Sequence, residues 1–75
     1  MISEQIKQKI KNHAHSVAPK ECCGFVFEKD IFECKNYSEN PNHHFSISPR
    51  EYLKASNLGD FKAVYHSHPQ GEAKF

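Results

Sequence analysis

No stretch of this 75-residue chain is apolar enough to span a bilayer, and no basic segment followed by a long apolar run opens it as a secretion signal would. The expectation is a soluble protein of the cytoplasm. Ten Lys and Arg stand against nine Asp and Glu, interspersed along the chain, for a net charge of +1. Without a basic block there is no electrostatic footprint for nucleic acid or an anionic membrane surface. Cysteines number three, Cys22, Cys23 and Cys34, and lack C-x-x-C spacing. An odd set of this kind suits neither a disulfide framework nor a zinc ribbon, so reduced and mostly buried thiols are expected. Tryptophan is absent, and there is no internal repeat, linker or low-complexity tract.

Six Phe and three Tyr supply large side chains for a modest core, with hydrophobic residues at 37% of the chain. A chain of this length makes at most one small domain, whose core contributes only about 3–5 kcal/mol of net stability. It calls for a staple, a metal or a partner.

Ile2, Ile6, Ile10, Ala14 and Val17 recur at helical spacing with Lys7, Gln8, Lys9 and Lys11 between them. This predicts an amphipathic helix over 3–17, with Ser3 available as its cap and Pro19 ending it. The stretches 22–28 and 31–37 read as a β-hairpin around Lys29-Asp30. Residues 36–44 have a loop composition, and Phe45 to Ile47 reads as a brief strand. Ser48-Pro49-Arg50-Glu51 presents a cap, a proline at the first helical position and a Glu that could close a reciprocal capping box. A helix over 49–58 follows, closed by Gly59-Asp60. A strand over 62–66 then delivers His66-Ser67-His68-Pro69, and residues 70–75 read as a loop. The fold class is α+β, a β-sheet flanked by helices in the order helix, hairpin, strand, helix, strand.

At the end of a strand, period-two geometry puts His66 and His68 on one side, where their ring nitrogens can converge on a metal ion. Glu21, at the start of another strand, is of the type that could take a proton from an attacking water and pass it to a leaving amine. Taken alone, an H-x-H is a weak signal and a strand-end Glu is ordinarily a solvated residue.

Glu21-Cys22-Cys23-Gly24 followed by Phe25-Val26-Phe27, then Asn36, then Phe45-Ser46-Ile47-Ser48-Pro49 leading into a helix, then Val64-Tyr65-His66-Ser67-His68-Pro69, resembles the prokaryotic and phage branch of the JAB/MPN (JAMM) zinc metallopeptidases. The joint occurrence of the two separated elements, in order, is far more specific than either alone. The resemblance implies a zinc-dependent peptidase or isopeptidase with His66 and His68 as metal ligands and Glu21 as the acid/base. It implies a peptide or ubiquitin-like protein substrate, or a place among phage tail proteins, where such domains occur, and with it the host cytoplasm or the virion as the location of a phage-encoded protein. The family pattern sets an oxyanion-stabilising serine eight positions and an aspartate ligand eleven positions after His68, both past Phe75. By that pattern residues 1–75 form the amino-terminal part of the domain, inactive alone and prone to self-association through uncovered apolar surface or an unpaired strand edge.

Other classes remain open at this level. A non-catalytic assembly module could keep the fold without the chemistry. Thiolates could hold a structural zinc, although adjacent Cys22 and Cys23 point to opposite faces of a strand. A cysteine nucleophile would pair Cys23 with His66. His13 and His15 are too poorly aligned on a helix for joint metal binding and are expected at the surface, as are His43 and His44. Asp60 and Glu72 are weak substitutes for a third ligand.

Overall fold

The computed structural model describes residues 2–68 and the backbone of residues 73 and 74. Helix α1, Glu4–Val17, starts where the Ser3 hydroxyl accepts the Ile6 N–H at 3.2 Å. Strands β1, Cys23–Val26, and β2, Ile31–Cys34, form a hairpin. Helix α2, Pro49–Leu58, has Pro49 in its first turn and stops at Gly59, whose φ of 138° is backbone that favours glycine. Strand β3, Ala63–Ser67, and the two-residue β4, Ala73–Lys74, complete an antiparallel sheet of order β2-β1-β3-β4.

β1 is central and buried along its length because both faces of the sheet are covered. Alternation sorts its side chains. Cys22 and Val26 join Ile6, Ile10 and Tyr65 beneath α1, whereas Cys23 and Phe25 join Cys34 and Ala55 on the α2 side, where Phe45, Ile47 and Phe61 pack against them. Phe25 anchors that second layer, 4.7 Å from Phe61 and 5.7 Å from Tyr52 between ring centroids. Such aromatic pairs add roughly 0.5–1.5 kcal/mol beyond their burial.

The helix positions match the sequence expectations closely, and four other expectations change. Phe45 and Ile47 pack into the core as strand residues would, but the segment forms no ladder. The Ser46 N–H is taken by the Asn36 side chain, leaving one backbone bond, from Tyr37 N–H to the Ser46 carbonyl. Half of the expected capping box forms: the Ser48 hydroxyl accepts the Glu51 N–H at 3.2 Å, but the Glu51 carboxylate instead accepts the Lys35 N–H beyond β2, tying helix to sheet. The tail read as a loop contributes β4, paired with His66 and Ser67. Pro69 and residues 70–72 lie outside the described residues.

The fourth change concerns His13, expected at the surface. It lies on the buried stripe of α1 at 5% exposure because Tyr65 on β3 offers its phenol at 2.7 Å from Nδ1, so the imidazole enters the core with a partner. Tyr65 in turn is fully buried over Gly24, its partner in the β1–β3 register. A methyl group at residue 24 would lie 2.6 Å from the Tyr65 ring and phenol oxygen and would also strike the Phe32 carbonyl.

Two outcomes follow. Gly24→Ala should lower stability by roughly 2–3 kcal/mol, since the Phe32 backbone cannot move aside as a side-chain tip could; a denaturation midpoint equal to wild type would show the site is roomier than the structure has it. Burial holds the His13 pKa below its ordinary 6.5, with Glu33 pulling the other way. The folded state therefore binds fewer protons than the unfolded state as pH falls through 6.5 towards the folded value, and stability declines over that window. In denaturant titrations at several pH values, His13→Gln should flatten this decline; an unchanged slope would assign it to other groups.

Candidate metal and acid/base site

The site forms where β1 begins and β3 ends. Between the two histidines Ser67 points towards the α1 side, 4% exposed, and clasps Cys22 by two bonds. Its hydroxyl accepts the Cys22 N–H at 2.9 Å, and its own N–H donates to the Cys22 carbonyl at 3.1 Å. This clasp continues the β1–β3 ladder by one residue and sets Glu21 beside His66. Glu21 shares the face of Cys23 and Phe25 by alternation, and His66 is the register partner of Cys23.

Glu21 is 3% exposed, with Oε1 3.7 Å from His66 Nδ1, beyond hydrogen-bonding distance. The His66 and His68 rings are 4.9 Å apart at 81°, and ligand atoms from Glu21, His66 and His68 all lie within 4.8 Å of one another. Phe45 stacks on His66 at 4.6 Å and 16°, fixing the imidazole plane. Among the described residues, His66 Nδ1 is the one buried side-chain polar atom with no hydrogen-bond partner. Leaving such an atom unsatisfied costs about 1–3 kcal/mol. An orphaned ring nitrogen facing a buried carboxylate, with a second imidazole alongside, fits a divalent metal that prefers nitrogen and oxygen ligands.

Other candidates fall away from this cluster. His15, His43 and His44 are exposed. Asp60 is exposed at the far end of the sheet, in an open groove with Phe27, Asp30 and Leu58, and Glu72 lies outside the described residues. The thiols are free and buried, with Cys22 on the α1 side and Cys23 and Cys34 on the other, a split that opposes a shared thiolate metal. Cys23 sits next to His66 in register, but its sulfur lies against the carbonyls of Cys34, at 4.0 Å, and Lys35, at 3.8 Å. Burial, with the neighbouring Cys22, Glu51 and Glu21, pushes its pKa up to about 12, which removes the thiolate a nucleophile needs.

Sequence reasoning assigned no role to Ser67, Phe45 or Asn36. Of these only Asn36 carries a local signal, an Asn two residues before Ser38, whose N–H its side chain accepts at 2.9 Å as an Asx-turn. The contacts of the other two are long-range.

The two-helix, antiparallel α+β unit is consistent with the fold that the sequence resemblance implies. Over residues 3–75 the chain matches the family described as prokaryotic homologs of the JAB domain, and it belongs to that family. It is similar to the tail tip assembly protein K of Escherichia phage N15, 42% identical over 64 residues that make up 80% of this chain. The matched part is 26% of that phage protein, so the chain spans about a quarter of its length. No solved structure matches. Among the described residues no helix is long and apolar enough to cross a membrane.

Because all three thiols are buried and burial raises the pKa of each, iodoacetamide at mildly alkaline pH should label native protein on the order of a hundredfold more slowly than unfolded protein. Rapid labelling of Cys23 in the native state would reopen the nucleophile assignment.

Proposed function

We propose that this chain contributes the acid/base and two metal ligands of a zinc-dependent peptidase or isopeptidase that serves phage tail assembly. The observation that carries this is the unpartnered Nδ1 of His66, aimed at the buried Glu21 carboxylate with His68 beside it. His66 and His68 hold the metal through ring nitrogens, and Phe45 keeps the His66 plane in place. When bound there, zinc supplies a Lewis acid and lowers the pKa of water towards neutrality. Glu21 takes a proton from the attacking water and returns it to the departing amine nitrogen. Its burial keeps that carboxylate in a low-dielectric setting where its charge acts strongly. Two imidazoles alone fall short of the three-ligand set that holds catalytic zinc tightly, and family resemblance puts the third ligand at an aspartate eleven residues after His68.

A second function is favoured by one observation, the assembly role in the name of the phage protein to which the chain is similar. Here the domain is a structural module of the tail tip and its Glu-His-His cluster is inherited without use.

Zinc titration by calorimetry distinguishes them, run on these 75 residues and on a protein in which they are followed by that aspartate. The longer protein should bind zinc and cleave a model isopeptide. His68→Ala should weaken its binding at least about 10-fold, whereas Glu21→Gln should keep binding and lose roughly 10²–10⁴ in rate. If neither form binds zinc, the peptidase assignment fails and the assembly module takes its place.

A further inference from the structure

We infer that Asn36 is the positioning residue of this site, setting the distance between the Glu21 carboxylate and the His66 imidazole while touching neither. The inference builds on the metal site proposed above. Asn36 is half-buried in the loop after β2, and its carboxamide serves five backbone groups. Nδ2 donates to the carbonyls of Glu21 at 3.0 Å, His44 at 2.9 Å and Pro41 at 3.3 Å, while Oδ1 accepts the N–H groups of Ser38 at 2.9 Å and Ser46 at 3.1 Å. Both N–H groups and the oxygen of the amide are used, one N–H being shared between two of the three carbonyls, and the chemistry of its partners fixes which atom is nitrogen.

These five groups divide into two arms. One holds the acid/base: the Glu21 carbonyl is bonded to Asn36 directly, and the Glu21 N–H donates at 2.7 Å to the Pro41 carbonyl that Asn36 also binds. Both backbone groups of Glu21 are thus pinned to the 36–46 loop. The other arm holds the imidazole: the bonds to His44 and Ser46 bracket Phe45, whose ring lies flat on His66. One rigid amide therefore joins the backbone of the carboxylate to the support of the metal ligand. No strand ladder could do this, because Phe45 to Ile47 has none. Only a planar group with donors on one side and an acceptor on the other satisfies both arms. Aspartate offers no donors, and alanine offers neither function.

The test uses the intact protein with Asn36→Ala and Asn36→Asp, and with Phe45→Leu as a reference. Without metal, NMR follows the ring C–H resonances of His66, which the stacked Phe45 ring displaces. Asn36→Ala should move them towards their Phe45→Leu position while the amide resonances of α1 and Tyr65 stay in place, a pattern that general destabilisation would not produce. With cobalt(II) as probe, Asn36→Ala should weaken binding about 10-fold or more and change the visible absorption spectrum. Asn36→Asp keeps the bonds from Ser38 and Ser46 but loses the one to the Glu21 carbonyl, so it should leave the His66 resonances and cobalt binding nearer wild type while shifting the backbone amide resonances of Glu21 and Cys22. Unchanged His66 resonances in a folded Asn36→Ala protein overturn the inference. So does unfolding of both variants, which would make Asn36 a residue that the whole fold needs. Should wild-type protein bind no cobalt, the metal assignment fails, and the His66 resonances alone decide whether Asn36 positions that ring.

Discussion

The antiparallel pairing of β1 with β3 is the constraint on which this structure depends. It aligns Cys23 with His66 and Gly24 with Tyr65, and each alignment has its own consequence. The first carries Glu21 to the histidines. The second lays Tyr65 over a residue without a side chain and lets the phenol reach His13, which fastens α1 to the sheet. The Ser67–Cys22 clasp extends the pairing to where the functional groups emerge. A slip of one residue would reverse the faces, moving His66 and His68 to the α1 side and Tyr65 away from Gly24. Register here is therefore specified by packing and by the site together.

Polar side chains in this small domain work at the junctions between elements. Glu51 leaves its expected place in a capping box and binds the end of β2, Asn36 orders a loop that has no ladder, and His13 enters the core with a phenol as partner. Each ties two elements together by a hydrogen bond, consistent with a core too small to hold the fold by apolar burial alone. His66 Nδ1 stands apart from this pattern. Among the described residues, this one unpartnered buried side-chain atom is the atom where a ligand is expected.

Both helices were legible in the sequence to within a residue because caps and apolar periodicity are local properties. The hairpin was legible for the same reason, and so was the sharing of one face by His66 and His68, which follows from strand period alone. The segment 45–47 looked like a strand because aromatic and β-branched residues favour one. Whether a ladder partner exists is a question of neighbours, and here the neighbour is an Asn side chain. His13 looked like a surface residue for a related reason: nothing within α1 reveals the hydroxyl of Tyr65, 52 positions away in sequence.

The sequence by itself determined the two helices, the hairpin, the strand that carries His66 and the buried, free state of the cysteines, since these rest on near-neighbour spacing and side-chain identity. Tertiary structure alone decided that Glu21 is buried instead of solvated, that it faces His66 across 3.7 Å, and that Asn36 and Phe45 support the two sides of that gap. The physical reason is that a strand's period fixes which way a side chain points but leaves open what lies there. That depends on the register between strands distant in sequence, and register is set only when both faces of the sheet find their partners.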